Sequence, residues 1–386
     1  MKVAHICLSC FYIDGFTYQE NELVREHVNS KNEVLVIAST ENYVNSKLTY
    51  VEPAEYIGAD GARVIRVPYA SVFPLKLAAK LRVHTGIYRI LTEFKPDVIM
   101  FHGLCGWELK TVCRYVENNP QVKLWVDSHE DHNNSARTLG SKILHKCYYK
   151  PIIQSCLKRI DKVLCISLDT MNFVSDMYGI RRQNLEFFPL GAHVYDDDTY
   201  YSMRDAARKE LSFTDEHIVF IQSGKQTGRK KLIESLLAFI SVKNENFRFI
   251  IVGSISEEIY DEVNALILKD ERVKYLGWKS SDDLNRYLCG SDVYLQPGTQ
   301  SATMQMSIGA RCILILDDVL SHEPFIADNG WLINDNNSLS KILNEIPQCL
   351  ERRKDMAWNS YLLANKMLCY KRLANLLLTS SDLSGL

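Results

Sequence analysis

The sequence predicts an α/β protein made of two doubly wound, Rossmann-like domains in series. Three observations carry that prediction. Short apolar or β-branched runs alternate with longer stretches of helical period, and this alternation restarts after residue 191. The length of 386 residues suits two domains of about 200 residues better than one. Strands alternating with helices imply mostly parallel sheets covered on both faces.

In the first half, Val3–Leu8, Glu33–Ala38, Arg63–Val67, Asp97–Phe101, Val122–Val126, Lys162–Ile166 and Leu185–Phe188 read as strands. Leu75–Glu93, Ser141–Arg159 and Leu168–Met177 have helical period. The boundary falls just after Phe188-Pro189-Leu190-Gly191, ahead of the loop-like Tyr195-Asp196-Asp197-Asp198-Thr199. Beyond it, His217–Gln222, Phe247–Val252, Val273–Leu276, Val293–Leu295 and Cys312–Leu316 read as strands, and Lys231–Val242 and Ala302–Gly309 as helices. A long helix is expected from Glu351 to about Leu378.

Composition excludes several classes. The apolar fraction is 46% and the charged fraction 24%, as in ordinary globular proteins. A net charge of −2 provides no field for nucleic acid, so any anion site must be local. The eleven cysteines are odd in number and scattered, which suits a reducing, cytoplasmic setting. Cys7, Cys156, Cys165, Cys312 and Cys369 lie in apolar segments and read as buried thiols. The first residues lead directly into a strand, and no apolar stretch approaches the length of a membrane span. Neither secretion nor membrane spanning is expected.

Ligands of such sheets sit beyond the carboxyl ends of the strands, so two such domains facing across a cleft would share a site there. After His217–Gln222 comes Gly224-Lys225-Gln226-Thr227-Gly228-Arg229-Lys230-Lys231, a glycine-bearing turn with four cations that opens a helix. Backbone amides, a helix N-terminus and lysines together can hold a diphosphate. The turn matches neither a Walker loop nor a G-x-G-x-x-G fingerprint. After Val293–Leu295, Gln296-Pro297-Gly298-Thr299-Gln300-Ser301-Ala302-Thr303-Met304-Gln305 offers hydroxyls and amides suited to a polyhydroxylated ligand. Ser301 or Thr299 would cap the following helix.

In the first half, the Ser9–Asn21 segment carries Gly15 at a strand-to-helix corner, where a substrate could approach the backbone. Asp127-Ser128-His129-Glu130-Asp131-His132 gathers ionisable groups at a strand end. His129 could bond a sugar hydroxyl or phosphate oxygen, with His102 on the same side. A metal site including His129 and His132, or a solvated loop, are the alternatives.

These residues carry a family resemblance. Gly224-Lys225, then Lys230, then Leu236-Leu237-Ala238-Phe239 resembles the donor turn and helix of retaining GT-B glycosyltransferases of the family-4 type (glycosyl transferases group 1), with Lys225 in place of the usual Arg. Further matches are Ile251-Val252-Gly253, Val273-Lys274-Tyr275-Leu276-Gly277-Trp278 and Ser291-Asp292-Val293-Tyr294-Leu295-Gln296-Pro297. Tyr18-Gln19-Glu20-Asn21, Ser128-His129-Glu130 and Phe188-Pro189-Leu190-Gly191 extend the likeness over nearly the whole chain. The family has two glutamates before the segment matched by Met306-Ser307-Ile308-Gly309-Ala310. Here Gln305 stands in the place of the second, and the first has no counterpart.

The resemblance implies a GT-B fold with domains over 1–191 and 192–360 and a terminal helix, 361–386, packing back on the first domain. It implies a nucleotide-sugar donor, UDP-linked in the first instance, and a saccharide or lipid-linked acceptor in surface polysaccharide or glycoconjugate synthesis. No metal and no cofactor are expected. Lys225 and Lys230 would meet the diphosphate, with Gly224 shaping the turn and Arg229 or Lys231 as substitutes. Thr299, Gln300 and Ser301 would hold sugar and phosphates, and Gln305 the ribose. His129 would act at the reacting sugar, while Gly15, Tyr18 and His102 would line the acceptor side. The basic segments Leu75–Glu93 (Lys76, Lys80, Arg82, Arg89) and Lys142–Arg159 (Lys142, Lys146, Lys150, Lys158, Arg159) could dock on the inner face of a membrane, or be solvated helix faces. The rival classes are a catalytically degenerate GT-B partner protein and a GT-B epimerase or phosphorylase.

Overall fold

The computed structural model describes residues 1–44, 47–346 and 349–379. The chain divides into two compact units, Met1–Pro189 with the segment from Tyr370, and Leu190–Cys369.

The first unit is built on strands β1 (Lys2–Cys7), β2 (Glu33–Ser39), β3 (Glu41–Val44), β4 (Lys47–Tyr50), β5 (Ala54–Ile57), β6 (Arg63–Val67), β7 (Val98–Phe101), β8 (Lys123–Ser128), β9 (Lys162–Cys165) and β10 (Leu185–Phe187). Eight of them form one sheet in the order β10-β9-β8-β7-β1-β2-β6-β5, and β3 pairs with β4 in a separate hairpin. All pairings in the large sheet are parallel except β5 with β6 at one edge. Because both faces are covered, the central strands are apolar over most of their length. On β1, Ala4 and Ile6 face one helical layer, while Val3 on the opposite face packs with Leu23, Trp125, Leu373 and Leu377. His5 shares the face of Val3, so an imidazole lies at the centre of the middle strand.

The second unit contains β11 (Ile218–Ser223), β12 (Phe247–Val252), β13 (Val273–Gly277), β14 (Val293–Gln296), β15 (Ile313–Asp317) and β16 (Gly330–Ile333). They form one parallel sheet in the order β13-β12-β11-β14-β15-β16. This is the 3-2-1-4-5-6 order of the dinucleotide-binding fold, whose ligand crevice opens where the order reverses, between β11 and β14.

Three helical expectations are corrected. Leu75–Glu93 is two helices, Leu75–Leu81 and Ile87–Phe94, because Arg82 (φ 53°) and Gly86 (φ 84°) take left-handed backbone. The 141–159 stretch is helical but passes through a π-turn at His145–Tyr149. The terminal helix breaks at Leu368–Cys369 into Leu350–Met367 and Tyr370–Thr379. Residues 361–369 therefore belong to the second unit, and only the chain from Tyr370 joins the first. The last part of the expected 361–386 segment, 380–386, lies outside the described residues. Helix Tyr370–Thr379 buries Leu373, Ala374, Leu377 and Leu378, and Trp125 Nε1 donates to the Leu377 carbonyl at 2.8 Å. All eleven cysteines are free thiols, including Cys7 and Cys10 at C-x-x-C spacing, and Cys369 is only partly buried.

Candidate functional site

In the second unit, the basic turn after β11 is wedged between the ends of its neighbours. A Cβ on Gly253, at the end of β12, would lie 2.0 Å from the Gly224 carbonyl oxygen. A Cβ on Gly298, after β14, would lie 2.4 Å from the Arg229 carbonyl oxygen. Glycine at both places lets the turn seat directly on adjoining backbone. Gly224 itself has φ +107° and lies beside Thr303.

The turn is then tied to the polar loop after β14. Lys230 Nζ donates to the carbonyls of Thr299 (2.6 Å) and Gln300 (3.0 Å), and Thr299 N–H donates to the Arg229 carbonyl at 3.2 Å. Burial of the ammonium lowers its pKa to about 8. Lys225 and Arg229 are exposed. Lys231 takes left-handed backbone (φ 51°), and its ammonium pairs with Asp317 Oδ2 at 2.5 Å. Lys231 is thus committed to the end of β15.

Ser301 occupies the N-cap position of helix Ala302–Gly309, but its hydroxyl caps no backbone N–H, contrary to expectation. It bonds instead to Thr303 Oγ1 (2.9 Å) and Gln296 Nε2 (3.2 Å), and Tyr294 OH joins Thr303 at 2.9 Å. Thr303 Oγ1 in turn donates to the Ser223 carbonyl at 3.2 Å, bridging the ends of β14 and β11. Among the described residues, Gln305 Oε1 and Gln222 Oε1 are buried without a hydrogen-bond partner in the chain. Unsatisfied buried polar atoms are costly and mark positions that a ligand can satisfy. Asp292 of the Ser-Asp-Val motif is structural. It accepts from Val219 N–H at 2.8 Å and from Arg204 and Arg208, each at 2.7 Å.

In the first unit the strand order reverses between β1 and β7, and the sequence-predicted groups there gather around Asp127. Asp127 Oδ2 accepts from His102 Nδ1 at 2.7 Å and lies 3.7 Å from His129 Nε2, while Oδ1 accepts from Gly103 N–H at 2.6 Å. The His129 side chain remains 39% exposed. Burial opposes charge on His102, yet Asp127, Cys7 and Glu20 together outweigh it and hold the pKa up at about 9. His129 is raised in the same way, burial being overcome by Asp127 together with Glu20. Burial would push Asp127 up, but His102 and His129 hold its carboxyl well below the usual range. Glu20, the neighbouring carboxyl from helix Gln19–Asn29, is raised by burial.

His102 is no isolated histidine. Its Nε2 lies 2.9 Å from His5 Nδ1, and His5 Nε2 lies 2.9 Å from His27 Nδ1. Burial, with the neighbouring histidines, keeps the His5 pKa well below its ordinary value, and burial lowers that of His27 to about 4. Neither His5 nor His27 stood out in the sequence. A histidine inside the apolar run Val3–Leu8 was the only local sign.

Gly15 sits at an exposed turn with φ +73° and nothing within 4 Å of the position a Cβ would take, and Tyr18 is exposed at the N-cap of the helix that follows. His132 turns away from His129 toward Asp176, at 3.6 Å. Another set of metal-ligand types, Cys105, Glu130 and His145, brings its ligand atoms within 4.8 Å of one another. The Tyr178 hydroxyl bonds to all three, at 2.9, 2.7 and 2.7 Å.

The two basic segments meet through Tyr148, whose hydroxyl donates to the Leu81 carbonyl at 3.2 Å. With the residues just before them, they expose Val72, Phe73, Leu75 and Leu77 on one side and Leu139 and Ile143 on the other, with Lys76, Lys80, Lys142 and Lys146 also exposed. Arg82 leaves this surface, since its guanidinium turns inward to the Cys105 carbonyl at 3.0 Å. No helix among the described residues is long and apolar enough to cross a membrane.

Two Rossmann-like units with polar sites at their strand-order reversals define the GT-B class of fold. Solved structures match it along the whole chain. Sucrose-phosphate synthase from Thermosynechococcus elongatus is 12% identical with a TM-score of 0.63, over 97% of this chain and 96% of that one. WaaG, a glycosyltransferase involved in lipopolysaccharide biosynthesis, is 14% identical with a TM-score of 0.61, over 98% and 100%. Anabaena Alr3699/HepE, solved with UDP, is 14% identical with a TM-score of 0.65, over 97% and 98%. No curated protein matches the sequence. Residues 17–191 match the family model of the glycosyl transferase 4-like domain. Residues 17–191 thus carry a glycosyl transferase 4-like domain, and the chain as a whole has the GT-B fold of these structures.

Proposed function

We propose that the protein is a retaining, metal-independent transferase that moves a sugar from a UDP-sugar to a saccharide or lipid-linked acceptor of a surface polysaccharide or glycoconjugate. The observation that carries this reading is the closure of the β11 turn on the β14 loop by Lys230, beside buried polar atoms that lack partners in the chain. The solved structures of HepE with UDP and with UDP-glucose support a UDP-linked donor.

In this reading the leaving diphosphate gains charge as the sugar becomes oxocarbenium-like. Lys225, Lys230 and the N-terminus of helix Ala302–Gly309 stabilise that charge, with Arg229 near enough in sequence to assist. Gly224 keeps the turn compact. Thr299, Gln300 and Ser301 hold the sugar and phosphates, and Gln305 accepts from a ribose hydroxyl. His129, backed by Asp127, acts at the reacting sugar, and Gly15, Tyr18 and His102 belong to the acceptor side. No carboxylate is assigned as a nucleophile.

The apolar and lysine-bearing surface of segments 72–80 and 139–146 suits peripheral docking on anionic lipid at the cytoplasmic face, where a lipid-linked acceptor would be met. Calorimetry with UDP and a panel of UDP-sugars tests the donor assignment. Absence of binding, with Lys225→Ala and Lys230→Ala without effect, would reject it. Equal sedimentation with anionic and neutral vesicles would reject the membrane role.

A further inference from the structure

Four hydrogen bonds run in series through the first unit. Asp127 Oδ2 meets His102 Nδ1 at 2.7 Å, and His102 Nε2 meets His5 Nδ1 at 2.9 Å. His5 Nε2 meets His27 Nδ1 at 2.9 Å, and His27 Nε2 meets the Ala374 carbonyl at 2.9 Å. All four side chains are buried. The array begins at the β8 end, crosses β1 and helix Gln19–Asn29, and stops on the C-terminal helix.

The two ends determine how the protons are arranged. A backbone carbonyl only accepts, so His27 donates through Nε2 and accepts through Nδ1. His5 must then donate through Nε2 and accept through Nδ1, and His102 must donate through Nε2. That leaves His102 Nδ1 facing a carboxylate oxygen, and this fourth bond also requires a proton. Three neutral imidazoles carry three protons, whereas four bonds need four. The extra proton belongs to the His102–Asp127 pair. Asp127 already accepts from Gly103 N–H at 2.6 Å and lies 3.7 Å from His129 Nε2, both of which favour the carboxylate. His102 is therefore the imidazolium.

We propose that His5 and His27 are positioning residues: with the Ala374 carbonyl as terminal acceptor, they orient the array so that His102 stays doubly protonated and Asp127 stays a carboxylate beside His129. Seating of the C-terminal helix thereby determines the charge arrangement at the far end of the array. The other ionisable groups facing the array are Glu20 on helix Gln19–Asn29 and Cys7 and Cys10 around the end of β1. Tyr370 on the terminal helix faces Glu20, Glu22 and Arg25, the last two being paired at 2.6 Å. The catalytic consequence rests on the proposed function, but the proton arrangement does not.

The test is nitrogen NMR of the full chain carrying ¹⁵N-labelled histidine, read from pH 5 to 10. The expected spectrum shows both His102 nitrogens protonated at neutral pH, and His5 and His27 neutral with the proton on Nε2. A neutral His102 at pH 7 overturns the proposal, whatever the activity. In His27→Leu, His5 loses its acceptor and can turn its proton toward His102, so the His102 pKa should fall by about one unit or more. His27→Gln keeps a donor for Ala374 and an acceptor for His5, and should restore the wild-type value. If His27→Leu does not fold, the wild-type and His27→Gln spectra still decide the proton arrangement. The pH profile of UDP-sugar turnover is measured in parallel. Coincident profiles for wild type and His27→Leu would overturn the positioning role. The expected wild-type spectrum with no UDP-sugar turnover would reject the proposed function while leaving the array intact.

Discussion

The ammonium nitrogen of Lys230 lies 2.6 Å from the carbonyl oxygen of Thr299, joining the turn after β11 to the loop after β14 across the point where the strand order reverses. Two neutral carbonyls are a modest substitute for an anion, and a diphosphate entering the crevice would be a better partner for the same cation.

Lys230→Ala should therefore lower transfer on the order of 100-fold or more. Lys231→Ala should change donor affinity little, since that ammonium is paired with Asp317. The Lys230 pKa of about 8 means that the cation, and with it kcat/KM, is lost as pH rises through about 8. The kcat profile should break at higher pH, because bound diphosphate favours the charged form. Steady-state kinetics of both variants and of wild type from pH 6 to 10 check this.

Gly253→Ala would place a methyl group 2.0 Å from the Gly224 carbonyl oxygen on a backbone with φ +124°. Overpacking against backbone, added to the strained φ, should cost about 2–4 kcal/mol. Gly15→Ala meets no atom within 4 Å and has only its φ of +73° to contend with, so about 1 kcal/mol is expected. Urea midpoints for the two variants should differ in that order.

Gln305→Glu places a carboxylate where Oε1 has no partner in the chain. The free protein should lose about 1–3 kcal/mol. Added UDP should raise the Tm of the variant more than that of wild type, because ribose hydroxyls would satisfy the new charge. Differential scanning fluorimetry with and without UDP reads both effects.

The histidine array makes stability depend on pH from both sides. His5 and His27 have lowered pKa values, so the unfolded chain takes up their protons first. Stability should fall as pH drops from 6.5 toward 4. Asp127, held below the carboxylate range, adds a loss as pH falls further. His102 acts in the opposite direction. Its contribution is complete below 6.5 and is lost as pH rises through about 9. His27→Gln should remove on the order of 3 kcal/mol of the acid-side dependence, as measured by urea midpoints at pH 4.5 and 7.

Much of the fold was legible because a parallel strand buried on both faces leaves an unbroken apolar run. Arg63–Val67, Phe247–Val252 and Ala302–Gly309 have the bounds their sequences suggest. The elements that were missed lack that signal. Strand Ala54–Ile57 is a largely exposed antiparallel edge, and Gly330–Ile333 opens on a glycine seated against Leu314. The break between Leu75–Leu81 and Ile87–Phe94 depends on left-handed backbone at Arg82 and Gly86, and only the second is announced by a glycine in the sequence.

The sequence by itself determined the two α/β units and the polar turns at their strand ends, since apolar period and abrupt polarity are local properties of the chain. Only the tertiary structure decided which lysine closes the β14 loop. Lys230 and Lys231 are neighbours, and the left-handed residue between turn and helix sends their ammonium groups to different strands. Likewise His5, His27, His102, Asp127 and Ala374 are widely spaced along the chain, so no local pattern joins them. Strand order and the seating of the terminal helix bring them into hydrogen-bond range, and their proton arrangement exists only in the folded unit.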